Sequence, residues 1–446
     1  MAFGKDFIWG AATASYQIEG ATNEDGKSLN IWDTFCEIPG KVYNGHSGAV
    51  GCDHYHRVDE DVALMREIGI KAYRFSLSWS RILPDGTGEV NAAGIGFYNH
   101  LINKLLENGI TPYITLYHWD LPYCLYLRGG WMNPEISDWY AEYARVVTES
   151  FSDRVKSFIT FNEPEVFVDC GYRQGFHAPG YKLGRRDMMN ICHNVLTAHG
   201  KAVATMRKYA KQPLEIGFVS ATMPPIPVNK TENEIKAARD SYFRNDKYAF
   251  PVQNGIWEDT ICFGKYPEDI DTSLLPSGYE KDLPIISTPI DFIGLNIYRG
   301  QYITADEGGN RINVPSGLNQ PTTAMDWEIT PEALYWGPKF FHERYGLPIY
   351  ITENGISVRC EPSPDGKVYD IPRIDYMRDY ISCLEKAAKD GTEVKGYFAW
   401  SLLDNFEWAC GFKERFGLIH VNYETGKRTL KESAKWYSDF IKKNGK

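Results

Sequence analysis

The 446-residue sequence predicts an α/β fold, a single (β/α)8 barrel with extended βα loops that takes in residues 1–446 as one domain. Eight short apolar or β-branched runs alternate with helical patterns, as in successive βα units. Two of these patterns end in a glycine followed by an apolar residue, at Gly69 and Gly109, which is a common helix stop signal. A doubly wound open sheet is the alternative. It would normally carry a glycine-rich turn after its first strand, and residues 7–14 contain too few glycines for such a turn.

The predicted strands are distributed over the whole chain. Its length alone suggests about three domains, but no Gly/Ser-rich, Pro-rich or low-complexity linker separates them. Parallel barrels with long loops exceed about 250 residues as one domain. The predicted strands are Phe7–Ala11, Ala72–Trp79, Thr111–Tyr117, Val155–Phe161, Glu215–Ser220, Phe292–Tyr298, Pro348–Thr352 and Val394–Ser401, and the helical patterns include Val58–Ile68 and Ile95–Asn108.

Composition and charge restrict the classes of partner. A net charge of −10 disfavours nucleic acid and an anionic membrane surface. Aromatic residues make up 14% of the chain, with 12 Trp and 29 Tyr. This content fits a large core with tyrosines at its rim, and it also fits a carbohydrate site, because the apolar faces of sugars stack on aromatic rings.

Cysteine usage and the N-terminus indicate the compartment. The nine cysteines are scattered, without a CxxC pair or metal-type Cys/His spacing, which predicts reduced thiols, no structural disulfide and no zinc. Residues 1–6 contain no apolar signal segment, and no window approaches the roughly 18 apolar residues of a membrane span. We therefore expect a cytoplasmic protein, and a homo-oligomer is compatible with the sequence.

Two short motifs carry the chemistry. Thr160–Pro164 and Ile351–Gly355 each place one glutamate, Glu163 or Glu353, after a short apolar run and before a residue that ends a strand. A pair of carboxyl groups can split a glycosidic bond, one as proton donor and the other as an anion that attacks or activates water. The motifs lie far apart in the chain, so only a closed fold brings the carboxyl groups together.

Polar or aromatic side chains follow most of the predicted strands. The carboxyl ends of barrel strands meet at one mouth, where active sites lie. One strand-end histidine is more often a structural group, but seven converging sets are stronger evidence. They are Gln17 and Glu19; Arg74; His118, Trp119 and Asp120; Asn162 and Glu163; Asn296 and Tyr298; Glu353; and Trp400, Asp404, Asn405, Glu407 and Trp408.

Longer segments carry a family resemblance: Phe7–Gly20, Tyr73–Ile82, Leu116–Pro122, Asn162–Pro164, Thr352–Gly355 and Leu402–Trp408. They occur in order, from about residue 3 to about residue 440, and together they resemble glycoside hydrolase family 1, the β-glucosidase family. The resemblance implies a retaining, exo-acting β-glycosidase without metal or organic cofactor. Its substrates would be terminal β-D-glucosyl residues of cello-oligosaccharides or of aryl and alkyl β-glucosides. Activity on β-galactosides or β-fucosides stays open.

The resemblance also implies roles for the two glutamates. Glu353 would be the nucleophile, with Asn296 in support. Arg74 alternates with apolar neighbours that face the other way, which points it along the barrel axis toward a carboxylate. Arg74 and the hydroxyl of Tyr298 would both lower the pKa of Glu353. Glu163 would be the general acid, kept protonated by the Glu353 anion and released to act as base once Glu353 is esterified.

Sugar recognition is likewise implied by resemblance. Trp400 would form the platform beneath the sugar, Trp119 would lie beside it, and Trp327 would stack at the next subsite. Asp326 stands where the family usually has glycine, so that loop could be set differently. The hydroxyls would be bound by Gln17, His118, Asn162, Glu407 and Trp408.

Two alternatives remain open at this point. A 6-phospho-β-glucosidase would be expected to replace Glu407 by Ser and to add a Lys and a Tyr shortly after it, whereas this chain reads Glu407–Phe412 as EWACGF. The charge of Glu407 would repel a phosphate. A non-catalytic sugar-binding barrel would normally lose Glu163 or Glu353, and neither is lost.

Overall fold

The computed structural model describes residues 3, 4, 6–245 and 253–444. Its eight central strands are β1 Ile8–Ala12, β2 Ala72–Ser76, β3 Thr111–Tyr117, β4 Ser157–Asn162, β5 Glu215–Ala221, β6 Phe292–Asn296, β7 Ile349–Asn354 and β8 Val394–Trp400. They are parallel and form a closed barrel in which each strand pairs with the next and β8 pairs with β1. The predicted (β/α)8 barrel is confirmed.

Helices surround the barrel, and the loops between strands are long. Further short strands pair within these loops, at Pro225–Pro227, Gln301–Ala305 and Arg311–Asn313, and at Ile419–Val421 with Arg428–Leu430. The α-helices are Ser15–Ile18, Ile31–Cys36, Val58–Ile68, Trp79–Ile82, Ala92–Glu107, Tyr123–Leu127, Ile136–Phe151, Pro164–Val168, Arg185–Tyr209, Glu232–Phe243, Asn254–Phe263, Leu283–Ile286, Ala333–Tyr345, Ile371–Lys389 and Glu432–Asn444.

The strand predictions are correct in type and order, and they differ from the structure only at their ends. The largest difference is at β2, which ends at Ser76 rather than Trp79 because Trp79 begins a short helix. The helix predicted from Ile95 begins earlier, at Ala92, because the side chain of Asn91 accepts a hydrogen bond from the Ala93 amide at 3.2 Å. Asparagine is a strong N-cap residue, and this signal was overlooked.

The two predicted helix stops are present. Gly69 and Gly109 have φ angles of +83° and +70°, in the left-handed region that favours glycine. Gly69 donates its amide to Met65 O at 2.9 Å, which closes the last turn of the helix. Each stop turns the chain directly into the next barrel strand.

The core has two parts, one between the barrel and the surrounding helices and one inside the barrel. Tyr73 and Phe75 of β2 point outward and belong to the large cluster that the helices cover. Aromatic rings fill the lower interior, where the Tyr113 and Phe398 centroids lie 5.1 Å apart and those of Phe292 and Tyr350 lie 4.9 Å apart. Polar side chains lie above these rings, at the carboxyl ends of the strands, where the active sites of such barrels are found.

None of the nine cysteines forms a disulfide bond in the part of the chain that the structure describes. Within residues 3, 4, 6–245 and 253–444, no helix combines the length and apolar character needed to cross a membrane. The prediction about a signal segment concerns residues 1–6, of which residues 1, 2 and 5 lie outside the described part.

Two buried glutamates lie on helices behind β4 and β5. Glu258 accepts a hydrogen bond from Ser220 Oγ through one oxygen, while its other oxygen and both oxygens of Glu165 have no partner among the described residues. Burial raises the pKa of Glu258 to about 8. Burial and then the charge of Glu258 raise the pKa of Glu165 well above its ordinary range. Both therefore carry a proton in the fold at pH 7.

This arrangement predicts a loss of stability with rising pH. Above about pH 7 these two glutamates are protonated in the folded chain but ionised in the unfolded chain, whose histidines are neutral. The unfolded chain therefore binds fewer protons than the folded chain. The free energy of unfolding should therefore fall between pH 7 and 8. Glu258→Gln should reduce that slope by on the order of 1 kcal/mol per pH unit, as measured by urea unfolding.

The control is Glu280→Gln, which changes an exposed glutamate and should keep the wild-type slope. An unchanged slope in Glu258→Gln would show that Glu258 is already ionised in the fold.

Gly355 lies where two strand ends approach each other closely. It follows β7, and a Cβ atom at this position would lie 1.8 Å from the carbonyl oxygen of Trp400. Because that neighbour is backbone, it cannot move aside cheaply. Gly355→Ala should lower the free energy of unfolding by about 1–3 kcal/mol or more. Gly96→Ala is the control, because its helix position has open space and alanine should be neutral or stabilising there.

Candidate active site

Glu353 stands at the end of β7 with a cation on one side and a phenol on the other. Nη1 of Arg74 lies 2.6 Å from Glu353 Oε1, and the Tyr298 hydroxyl donates to Glu353 Oε2 at 2.7 Å. Arg74 and Glu353 are both buried. Side chains along β2 alternate between the two faces of the strand, which places Arg74 inside the barrel. The Arg74–Glu353 ion pair therefore crosses the barrel interior from β2 to β7. The two donors favour the ionised form of Glu353.

Glu163 has a different environment. Asn296 donates through Nδ2 to Glu163 Oε1 at 2.7 Å, and no cation binds this carboxyl group among the described residues. Asn296 in turn accepts from the Thr352 hydroxyl at 2.6 Å, and it lies opposite Glu353 in the register of β6 and β7. Asn296 thus binds the carboxyl group of Glu163 while it lies beside Glu353 on the neighbouring strand.

The backbone at Glu163 is left-handed, with φ +49°. Pro164 follows and begins a short helix, and a residue before proline is kept out of the right-handed helical region. The amide of Glu163 donates to Val219 O at 2.8 Å. This turn at the end of β4 fixes where the side chain leaves the strand.

Asn162 joins the two halves of the site. Its Oδ1 accepts from Arg74 Nη2 at 2.5 Å and from Asn296 at 3.1 Å. Its Nδ2 therefore donates, and it lies 3.1 Å from Nε2 of His118. The His118 proton is then on Nδ1, a buried atom with no partner among the described residues. Burial, followed by the charge of Arg74, holds the pKa of His118 well below its usual range, so the ring stays neutral.

The carboxyl pKa values follow from these surroundings. Burial, and next the charge of Glu353, raise the pKa of Glu163 to about 8. Burial also raises the pKa of Glu353, while Arg74 and Tyr298 oppose that rise. Burial is the largest effect on both pKa values, whereas charges and hydrogen bonds alone were expected to set them. Because Glu353 alone has a cation, it holds the negative charge and Glu163 holds the proton.

Gln17 and Glu407 form a second polar group at the mouth. Gln17 donates through Nε2 to Phe406 O at 2.8 Å and to Asn405 Oδ1 at 3.1 Å, and a longer contact of 3.4 Å reaches Glu407. The Gln17 Oε1 atom is buried without a partner among the described residues. Burial and the charge of Glu353 raise the pKa of Glu407 to about 8. Glu407 therefore carries a proton at pH 7, and the prediction that it is negatively charged is wrong.

Aromatic rings form the walls. The centroids of Trp119 and Trp408 lie 4.5 Å apart, and the ring of His118 lies parallel to those of Trp400 and Trp408 at 5.9 and 5.8 Å. Trp119 also donates through Nε1 to Asn162 O at 3.0 Å. Trp119 and Trp408 both have left-handed backbone angles, with φ +78° and +48°.

Trp327 lies at the outer edge, where its ring contacts that of Tyr298 at 5.5 Å between centroids. The guanidinium of Arg299 lies 5.7 Å from the centre of the Trp327 ring. Asp326, which stands where the family resemblance predicts glycine, has φ +57°. The backbone there takes the conformation that glycine favours, and aspartate is among the side chains that tolerate it.

These groups surround a cavity of about 390 Å³. Nine of the thirteen predicted site residues line it, and Gln17, Arg74, Asn162 and Asn296 lie behind them. The nine are His118, Trp119, Glu163, Tyr298, Trp327, Glu353, Trp400, Glu407 and Trp408. The sequence did not predict a further nine lining residues: Val166, Cys170, Phe176, His177, Ala221, Met325, Ala409, Cys410 and Phe416.

Three strand-end acids do not reach the cavity, contrary to the prediction that the strand ends converge. Glu19 pairs with Arg81 at 3.1 Å. Asp404 pairs with Lys431 at 2.6 Å. Asp120 accepts from Ser15 Oγ at 3.1 Å. Each is buried, and each contact joins two segments that lie outside the barrel strands. Buried polar groups need such partners.

Comparison with known proteins agrees with this geometry. The family model described as glycosyl hydrolase family 1 matches residues 1–446. A 1,4-beta-D-glucan glucohydrolase of Thermotoga neapolitana is 47% identical over 99% of both chains. Beta-glucosidase A of Thermotoga maritima is 46% identical over 99% of this chain and 98% of its own.

Solved structures give the same result. A beta-glucosidase from Thermotoga maritima in complex with glucoimidazole superposes with a TM-score of 0.90 at 46% identity, over 100% of this chain and 99% of that one. The match of the family model over the whole length and the identity to these relatives exceed what a shared barrel alone would produce. This chain belongs to glycosyl hydrolase family 1.

Proposed function

We propose that this chain is a retaining, exo-acting β-glucosidase that removes terminal β-D-glucosyl residues, with residues 1–446 as one catalytic domain. The observation that carries the proposal is the unequal environment of two buried carboxyl groups. Glu353 is bound by Arg74 and Tyr298, whereas Glu163 is bound by the neutral amide of Asn296. One is an anion and the other an acid, which is the pairing that glycoside cleavage requires.

In the first step the Glu353 carboxylate attacks the anomeric carbon and a glycosyl ester forms. Glu163 gives its proton to the leaving oxygen, so the alcohol departs uncharged. Arg74 and Tyr298 hold the attacking carboxylate in place and limit its rotation. The charge that develops on the sugar ring lies next to the Glu353 oxygen, where the attack neutralises it.

In the second step Glu163 acts as base. The Glu353 ester has no charge, so the electrostatic contribution that raised the pKa of Glu163 disappears. Glu163 then ionises more readily and takes a proton from a water molecule. The water oxygen attacks the anomeric carbon from the face that the alcohol left, and the bond between the sugar and Glu353 breaks, which releases the carboxylate. The anomeric configuration is retained, and both glutamates return to their starting states.

The sugar hydroxyls fit two buried polar atoms that have no protein partner among the described residues. His118 can donate through Nδ1, and Gln17 can accept through Oε1. An unpartnered buried group is costly, and a sugar hydroxyl would satisfy each one. Trp400 would lie beneath the ring, with Glu407 and Trp408 at the far hydroxyls.

A non-phosphorylated sugar is favoured over a 6-phosphate. Because the pKa of Glu407 is raised to about 8, its charge is a weaker reason than the sequence suggested. The stronger reason is the lack of a nearby cation in the part of the loop that the structure describes. Lys413 is directed away to Glu414 at 3.3 Å, and Arg415 is bound to Asp404 at 2.8 Å.

The proposed substrates are small molecules, and we further propose that the enzyme acts in the cytoplasm and does not bind nucleic acid. The net charge of −10 supports the last point.

The deciding measurement is the initial rate on p-nitrophenyl β-glucoside beside that on its 6-phosphate. The wild-type enzyme should prefer the unphosphorylated substrate in kcat/KM. Glu353→Gln should lower turnover by about 10⁴-fold or more while sugar binding is largely kept, because the amide cannot form the ester. A wild-type preference for the 6-phosphate would support the phospho-glucosidase alternative, and near-normal turnover in Glu353→Gln would remove the nucleophile assignment.

Glu163→Ala separates the two roles of the acid. Substrates with poor leaving groups should slow by about 10²–10⁴-fold, whereas activated aryl glycosides need little protonation and should be spared in the first step. Azide should restore turnover by entering the space left by the side chain, with a β-glycosyl azide as product. Recovery of an α-azide would mean that the reaction inverts configuration.

A further inference from the structure

The outer part of the active-site cavity differs in chemistry from its base. The residues at the base, such as His118, Glu163 and Glu353, are almost fully buried. The lining residues that keep some exposure belong to the βα loops and are mostly apolar. They include Val166, Cys170, Phe176, Met325, Trp327 and Cys410.

This outer part lies where a leaving group must go. Glu163 protonates the leaving oxygen under the proposed function, so the rest of the leaving group lies beyond Glu163, toward the solvent. Val166 is in the short helix that Glu163 caps, and Cys170 follows in the next turn. Trp327 faces the same cavity from the loop after β6.

Few free polar atoms are present there. Tyr298 and Glu407 keep some exposure, but the Tyr298 hydroxyl is bound to Glu353 and Glu407 is contacted by Gln17. In this outer part, among the lining residues that the structure describes, His177 is the exception, because its Nδ1 has no partner. Burial lowers the pKa of His177 to about 3, so it offers a neutral ring and one unpaired nitrogen.

A second glucose unit fits such a surface poorly. It would bring several hydroxyl groups, and each one buried without a partner costs free energy, because its hydrogen bonds to water are lost and not replaced. An aromatic or alkyl group instead stabilises the complex in proportion to the apolar surface that it removes from water. The ring of Phe176, which is 44% exposed, extends the apolar surface outward from the cavity.

We propose that this enzyme is selective for β-glucosides of apolar alcohols and phenols, and that Phe176 and Met325 form the outer contact for the aglycone. The proposal rests on the β-glucosidase function and narrows its substrate class. Cellobiose should be the poorer substrate, although its leaving sugar hydroxyl departs at least as readily as a simple alcohol. Selectivity against cellobiose therefore reports binding rather than leaving-group chemistry.

The first test compares kcat/KM of the full-length enzyme for 2-phenylethyl β-glucoside, methyl β-glucoside and cellobiose. The two alkyl leaving groups have similar basicity, so their ratio isolates contact with the ring. We expect 2-phenylethyl β-glucoside to exceed each of the others by at least about tenfold. Equal or higher kcat/KM for cellobiose would overturn the proposal and leave the β-glucosidase function intact. Hydrolysis of none of the three would overturn both.

The second test uses Phe176→Ser and Met325→Asn. Each should lower the ratio of kcat/KM for 2-phenylethyl over methyl β-glucoside by about threefold to tenfold, since apolar area is lost only with the larger aglycone. The matched control is Phe263→Ser, because Phe263 is 47% exposed and lies outside this cavity. A ratio that stays at the wild-type value in both variants, or one that falls equally in the control, would overturn the assignment.

Discussion

The site depends on one buried cation. Arg74 lies inside a barrel whose lower half is filled by aromatic rings, where a guanidinium without partners would be very costly. Its charge is matched by Glu353, and its second nitrogen binds Asn162. Asn162 then contacts His118 and Asn296, so the positions of these three side chains follow from the need to satisfy Arg74.

The same motifs show how far the sequence could predict this arrangement. Alternation along β2 was enough to place Arg74 inside the barrel, because strand geometry has a strict period of two. The apolar runs, and the proline or glycine that follows some of them, likewise predicted the strands and the positions where they end. Glu19 and Asp404 were misplaced because the chain continues for several residues after the strands, and no periodicity governs such segments. Their partners, Arg81 and Lys431, are distant in sequence, so only the folded loops reveal the pairing.

Backbone conformation was the other part that the sequence could not supply. Trp119, Glu163 and Trp408 all adopt left-handed angles, which side chains of this size rarely take. No local residue preference predicts this, since glycine would be the expected choice. Such angles persist only where surrounding contacts impose them, and they concentrate at functional positions. Here they direct two indole rings and one carboxyl group into the same cavity, and residues such as Phe176 and Met325 reach it from loops with no pattern of their own.

Charge neutrality links this architecture to the reaction cycle. In the resting site the positive Arg74 is balanced by Glu353, while burial keeps protons on Glu163 and Glu407. Formation of the glycosyl ester removes the negative charge of Glu353 that balances Arg74, so the buried site then carries an excess of positive charge. Ionisation of Glu163 restores the balance, and it is also the event that creates the base for hydrolysis. Burial, together with the constraint that a buried cation must keep an anion close by, thus accounts for the proton on Glu163 in the first step and for its loss in the second.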